Sequence, residues 1–123
     1  MTNTIRLYRP VGKKELNLIA ESGYKGYPPR LIGQPIFYPV MNFDYAAQIA
    51  KEWNVVDEFS GYCGFVTAFD IDAKYVSKFE VQNVGGFEHN ELWVPSEELQ
   101  EFNEHIVGKI EISASFYGEK YVK

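Results

Sequence analysis

The run Cys63 to Ile71 constrains the fold of this chain more than any other segment. Cys63, Phe65, Thr67, Phe69 and Ile71 alternate with Gly64, Val66, Ala68 and Asp70, so both faces of a period-two strand are mostly apolar. That pattern predicts a central strand, flanked by others, rather than a sheet edge.

The remaining segments supply its neighbours. Ile5 to Arg9 alternates as an N-terminal strand that ends at Pro10-Val11-Gly12, and a helix follows with Leu16, Ile19 and Ala20 on one face. Ser22 to Gln34, with three glycines, Pro28 and Pro29, reads as a stiff loop over a pocket mouth or a plain crossover. Pro35 to Val40 is a short apolar strand. Asn42 then caps a helix whose expected buried stripe is Phe43, Ala46, Ala47, Ala50 and Trp53. After the polar loop Asn54 to Tyr62 and the central strand, a short segment Ala73 to Phe79 leads to a strand at Val81 to Val84 and a break at Gly85-Gly86. Ser96 is the expected cap of a last helix carrying Glu97 and Glu98 in its first turn. Lys109 to Phe116 alternates as a final strand, and residues 117–123 read as a polar tail. Strands and helices that do not alternate regularly predict an α+β fold on a largely antiparallel or mixed sheet.

The chain has 123 residues, the size of one domain, and no repeat or linker divides it. A net charge of −5 argues against nucleic acid as the main partner, because phosphate binding draws on Lys and Arg. Neither a Gly-x-Gly-x-x-Gly nor a Gly-x-x-x-x-Gly-Lys-Ser/Thr loop occurs, so those phosphate cradles are not expected. One cysteine and two histidines give no metal-ligand spacing, and no metal is expected. A lone Cys63, no apolar leader and no run long enough to span a bilayer predict a reduced, cytoplasmic setting away from membranes.

The richest stretch chemically is His89-Asn90-Glu91-Leu92-Trp93-Val94-Pro95. In strand geometry Glu91, Trp93 and Pro95 share one face while Leu92 and Val94 take the core face, so the Glu91 carboxylate can meet a ligand from a rigid sheet edge. Arg9 ends the first strand and Tyr38 lies on the second. Their order with Glu91 is specific. Leu7-Tyr8-Arg9, then Pro35-Ile36-Phe37-Tyr38 with Asp44-Tyr45-Ala46-Ala47-Gln48-Ile49-Ala50, then Glu91-Leu92-Trp93-Val94, resembles the three-part core of the ADP-ribosyltransferase superfamily. The second block is also similar to the RES-type NAD-degrading branch. The resemblance spans most of residues 5 to 112. Each motif is short, and the specificity lies in their combination.

The resemblance implies two small, mostly antiparallel sheets forming a cleft, with flanking helices and with NAD as cosubstrate. It further implies cleavage of the nicotinamide–ribose bond and passage of ADP-ribose to an acceptor or to water. Glu91 would be catalytic, because a carboxylate beside an oxocarbenium-like ribose favours the transition state over the ground state. Arg9 would anchor the ADP-ribose half through its planar fork of donors. Tyr38, helped by Tyr45, would stack on nicotinamide and position it. Arg30 could reach a phosphate and His89 could contact substrate.

Plainer readings stand beside these. Glu91 also suits a solvated strand end, Arg9 a weak pair with a surface carboxylate, Tyr38 a core aromatic, Arg30 a solvated loop, and His89 and His105 loop or helix ends. The chain also departs from the family's patterns. It has no Ser-Thr-Ser on the second strand, and His89 stands two residues before Glu91 where arginine-modifying members carry Glu or Gln. Arg9 replaces the His of the poly-ADP-ribose polymerase branch. The alternative function is a noncatalytic ligand-binding or protein-interaction module on the same fold.

Overall fold

The computed structural model describes residues 3–86 and 89–122; Met1, Thr2 and the end of the tail at Lys123 lie outside the described residues. Three long strands form its backbone: β1 (Thr4–Val11), β3 (Cys63–Asp72) and β7 (Ile106–Tyr117), antiparallel in the order β1-β3-β7. The Cys63 run is therefore central. Its two faces do different work. Cys63, Phe65, Phe69 and Ile71 enter a large core with Leu7, Val11, Phe37, Leu92, Val94 and Phe102, whereas Val66 joins Val40, Ala46 and Ala50 under helix α2 (Phe43–Glu52). Gly64 permits this approach. A Cβ there would stand 2.7 Å from Asn54 Cβ and 2.9 Å from the Ala50 carbonyl oxygen.

The sheet continues past β1 through one chain segment. Tyr8 and Val40 exchange backbone hydrogen bonds of 3.0 and 2.7 Å, and Val40 is bridged in turn to Glu91. Strand β2 (Ile36–Phe37) pairs with β6 (Val94–Pro95), and β5 (Asn90–Leu92) pairs with β4 (Val81–Asn83), every pairing antiparallel. Helices α1 (Lys13–Glu21), α3 (Ala73–Val76) and α4 (Leu99–Glu104) complete an α+β architecture. No helix among the described residues is long and apolar enough to cross a membrane.

Several local expectations need correction. Phe43 is 37% exposed and Trp53 60% exposed, so the buried stripe of α2 is Ala46 and Ala50 alone; these small side chains bring the helix onto Gly64, while Phe43 makes an edge contact with the Tyr8 ring at 6.1 Å. Ser96 is not a helix cap. It lies within a 3-10 turn, Ser96–Glu98, with its backbone N–H donating to the Pro35 carbonyl at 2.8 Å, and α4 begins only at Leu99 with no side-chain capping bond. Residues after 116 are more than a polar tail, since Tyr117 ends β7, Tyr121 packs on the main core and their rings lie 4.7 Å apart. The loop after α1 sends Tyr27 into that core, where its hydroxyl meets Thr67 Oγ1 at 2.8 Å.

Candidate functional site

Glu91 stands on a ladder whose register fixes what faces it. Ile36 lies opposite Pro95 and Phe37 opposite Val94, while farther along Leu92 N–H donates to the Pro39 carbonyl and Val40 lies opposite Glu91. The same register sets Tyr38 opposite Trp93. Because side chains alternate along a strand, Tyr38, Val40, Glu91 and Trp93 share one face, and Phe37, Leu92 and Val94 take the other, the core face. The pattern read from residues 91–95 is thus the observed one.

Glu91 is only 7% exposed, and both of its carboxylate oxygens have partners. The Trp93 indole Nε1–H donates to Oε1 at 2.7 Å, and the Tyr45 hydroxyl donates to Oε2 at 3.2 Å. Tyr45 belongs to the first turn of α2, where its backbone N–H donates to the Asn42 side chain at 2.7 Å. Burial and the adjacent Glu91 push its hydroxyl up to about 12, so it stays protonated and able to donate at ordinary pH. His89 stacks on the Tyr45 ring at 4.4 Å. Its Nδ1 accepts from the Gly86 N–H at 3.2 Å, and its Nε2 lies 3.1 Å from Gln48 Oε1. With those contacts Nε2–H is the donor, and the imidazole supports Tyr45 from behind.

Arg9 belongs to a neighbouring but different cluster. It alternates with Tyr8 on β1 and so falls on the Leu7 and Val11 face, the side opposite the Val40 and Glu91 face. There it is 6% exposed and makes a two-bond ion pair with Glu15 of α1, Nε to Oε2 at 2.7 Å and an Nη to Oε1 at 3.1 Å. Burial opposes its charge, but the attraction of Glu15 and the hydrogen bonds outweigh it and hold the guanidinium above its ordinary value. The plane of Arg9 lies over Phe37, 4.8 Å from the ring centre.

Tyr38 stands between the two clusters. It is 42% exposed, and Arg9 Cζ and Arg30 Cζ each lie 5.8 Å from its ring centre. Arg30 donates its Nε–H to the Ile36 carbonyl at 3.1 Å and has no ion pair among the described residues. Partial burial and the nearby Arg9 lower its pKa.

The structure therefore gathers Glu91, Tyr45 and His89, with Tyr38 on the same face, sets Arg30 beside Tyr38, and directs Arg9 to Glu15. Two members have little or no signature in the sequence. For Trp93 the only signal is its spacing of two residues from Glu91 along a strand, which lets its N–H reach the carboxylate. Glu15 carried no signal, because only the turn from β1 into α1 brings it to Arg9. His105 fits its helix-end reading, donating Nδ1–H to the Glu101 carbonyl at 2.9 Å at the close of α4. Among the described residues no group of three or more His, Cys, Asp and Glu side chains could hold a metal ion. No family model, curated protein or solved structure matches the chain.

Proposed function

We propose that this chain is an ADP-ribosyltransferase-like protein that consumes NAD, with Glu91 as its catalytic carboxylate. The observation that carries the reading is a nearly buried carboxylate held by two aromatic donors on the face that also presents the half-exposed Tyr38. Each carboxylate oxygen can accept more than one hydrogen bond, so Glu91 keeps capacity for a ribose hydroxyl while Trp93 and Tyr45 hold it. In the bond-breaking step the nicotinamide leaves with the bonding electron pair and positive charge develops on the ribose, beside the Glu91 charge. Tyr38 offers a flat ring for nicotinamide. Arg30, which has no ion pair among the described residues, faces the phosphates, and Arg9 braces the platform beneath Tyr38. An unidentified acceptor or water receives the ADP-ribose, and the lone buried thiol of Cys63 supports a reducing, cytoplasmic setting.

The pairing of Arg9 with Glu15 favours a second reading, a noncatalytic module that binds NAD or a protein through Tyr38 and its surroundings. Nicotinamide release and NAD-dependent thermal stabilisation, measured on the natural protein and on Glu91→Gln, separate the two. The enzyme reading expects both signals in the natural protein and loss of release alone in Glu91→Gln. Stabilisation without release in either protein favours the module, and release undiminished in Glu91→Gln removes Glu91 from the chemistry.

A further inference from the structure

We infer that Trp93 is a positioning residue, forming with Tyr45 a two-point clamp that fixes the plane of the Glu91 carboxylate. The terminal torsion of a glutamate is broad, so an unassisted carboxylate swings over a wide arc. Here each oxygen is held by a donor from a different element, Trp93 at 2.7 Å from the ladder and Tyr45 at 3.2 Å from α2.

Both donors are themselves held. Tyr45 is fixed by the Asn42 cap and by the His89 ring packed against it. Trp93 is fixed by the paired residues around it in the ladder, with Leu92 and Val94 buried on the reverse side. An indole has one N–H and no acceptor, so its bond to Glu91 uses its whole hydrogen-bonding capacity. Trp93 is 43% exposed as a residue, more than one retained only for core packing requires. Its polar edge is turned to the carboxylate while much of the ring remains accessible. A carboxylate fixed in this way meets a ribose in one orientation, so the clamp acts on turnover through Glu91 and touches no substrate atom itself.

The catalytic part of this inference rests on the NAD-consuming reading of Glu91, whereas the clamp can be read without it. In a 1H–15N spectrum the two indole signals belong to Trp53 and Trp93, and Trp93→Phe identifies the second. The Trp93 indole proton is expected downfield of the exposed Trp53 signal and slower to exchange with water, and Glu91→Gln is expected to move it upfield. Trp93→Phe should lower kcat for nicotinamide release roughly ten- to a hundredfold with KM within about twofold, the signature of a lost bond to a charged group acting in the transition state. Tyr45→Phe, which removes only the other donor, should show the same kcat-selective loss and supplies a second route if the tryptophan variant folds poorly. An indole signal indifferent to Glu91→Gln overturns the clamp, and unchanged kcat in both donor variants overturns its positioning role. A Glu91-dependent indole signal in a natural protein that releases no nicotinamide supports the clamp and overturns the NAD reading instead.

Discussion

Replacing Glu15 by Gln removes one charge from a pair whose other member has nowhere else to go. The Arg9 side chain is 8% exposed and that of Glu15 24% exposed, so the guanidinium is enclosed while the carboxylate retains some contact with water. Breaking a buried pair by deleting one partner costs about 3–5 kcal/mol, because the remaining charge stays desolvated and unpaired. The glutamine carbonyl can still accept one of the two Arg9 bonds, which places Glu15→Gln near the lower end, about 3 kcal/mol. For a chain of 123 residues that corresponds to a fall in Tm of roughly 12 °C. Urea unfolding with a fixed slope measures the loss, and the double variant Arg9→Met with Glu15→Leu provides the control. Without either charge it should recover most of the stability, so that the two substitutions are strongly non-additive. A loss below about 1 kcal/mol for Glu15→Gln would refute the argument, since the pair would then be behaving as a solvated surface contact.

Gly64→Ala places a methyl group against Asn54 and the Ala50 carbonyl, and is expected to lower stability by about 1–3 kcal/mol as α2 is forced off β3, read from the urea midpoint. Tyr45 carries a pH dependence. Its hydroxyl ionises near 10 in the unfolded chain and at about 12 in the fold, so the unfolded state gives up its proton first. Its contribution is therefore complete below pH 10 and is lost as pH rises towards 12, in the same direction as those of Tyr27 and Tyr75, whose hydroxyls burial also raises. Unfolding midpoints across that range should fall less steeply in Tyr45→Phe than in the natural protein, and parallel curves would contradict the placement of Tyr45. Tyr27→Phe should cost about 1 kcal/mol by chemical denaturation, because Thr67 loses its partner at 2.8 Å but still donates to the Arg9 carbonyl.

The parts of the fold legible in the chain are those governed by local periodicity. The two faces of Cys63 to Ile71 follow from strand alternation, and the Asn42 cap follows from a side chain that bonds the backbone N–H of Tyr45 three residues on. The same rule revealed that Glu91 and Trp93 share a face. Helix α2 shows where the rule weakens, because periodicity marks which residues could face inward but not how completely the neighbouring segments cover them, and Phe43 and Trp53 stay exposed. Ser96 has the right chemistry for a cap, but its backbone is the start of a 3-10 turn tied to the Pro35 carbonyl, and no side chain caps that turn or α4.

The candidate site divides along the same line. By itself the sequence determined the central strand, the α+β class and the orientation of Glu91, since each depends on contacts within a few residues of chain. Only the tertiary structure decided that Tyr38 faces Trp93, that Tyr45 reaches Glu91 across 46 residues, and that Arg9 turns to Glu15. Those choices rest on strand register and on which buried charge finds the nearest counter-charge, and both are settled by the simultaneous packing of distant segments.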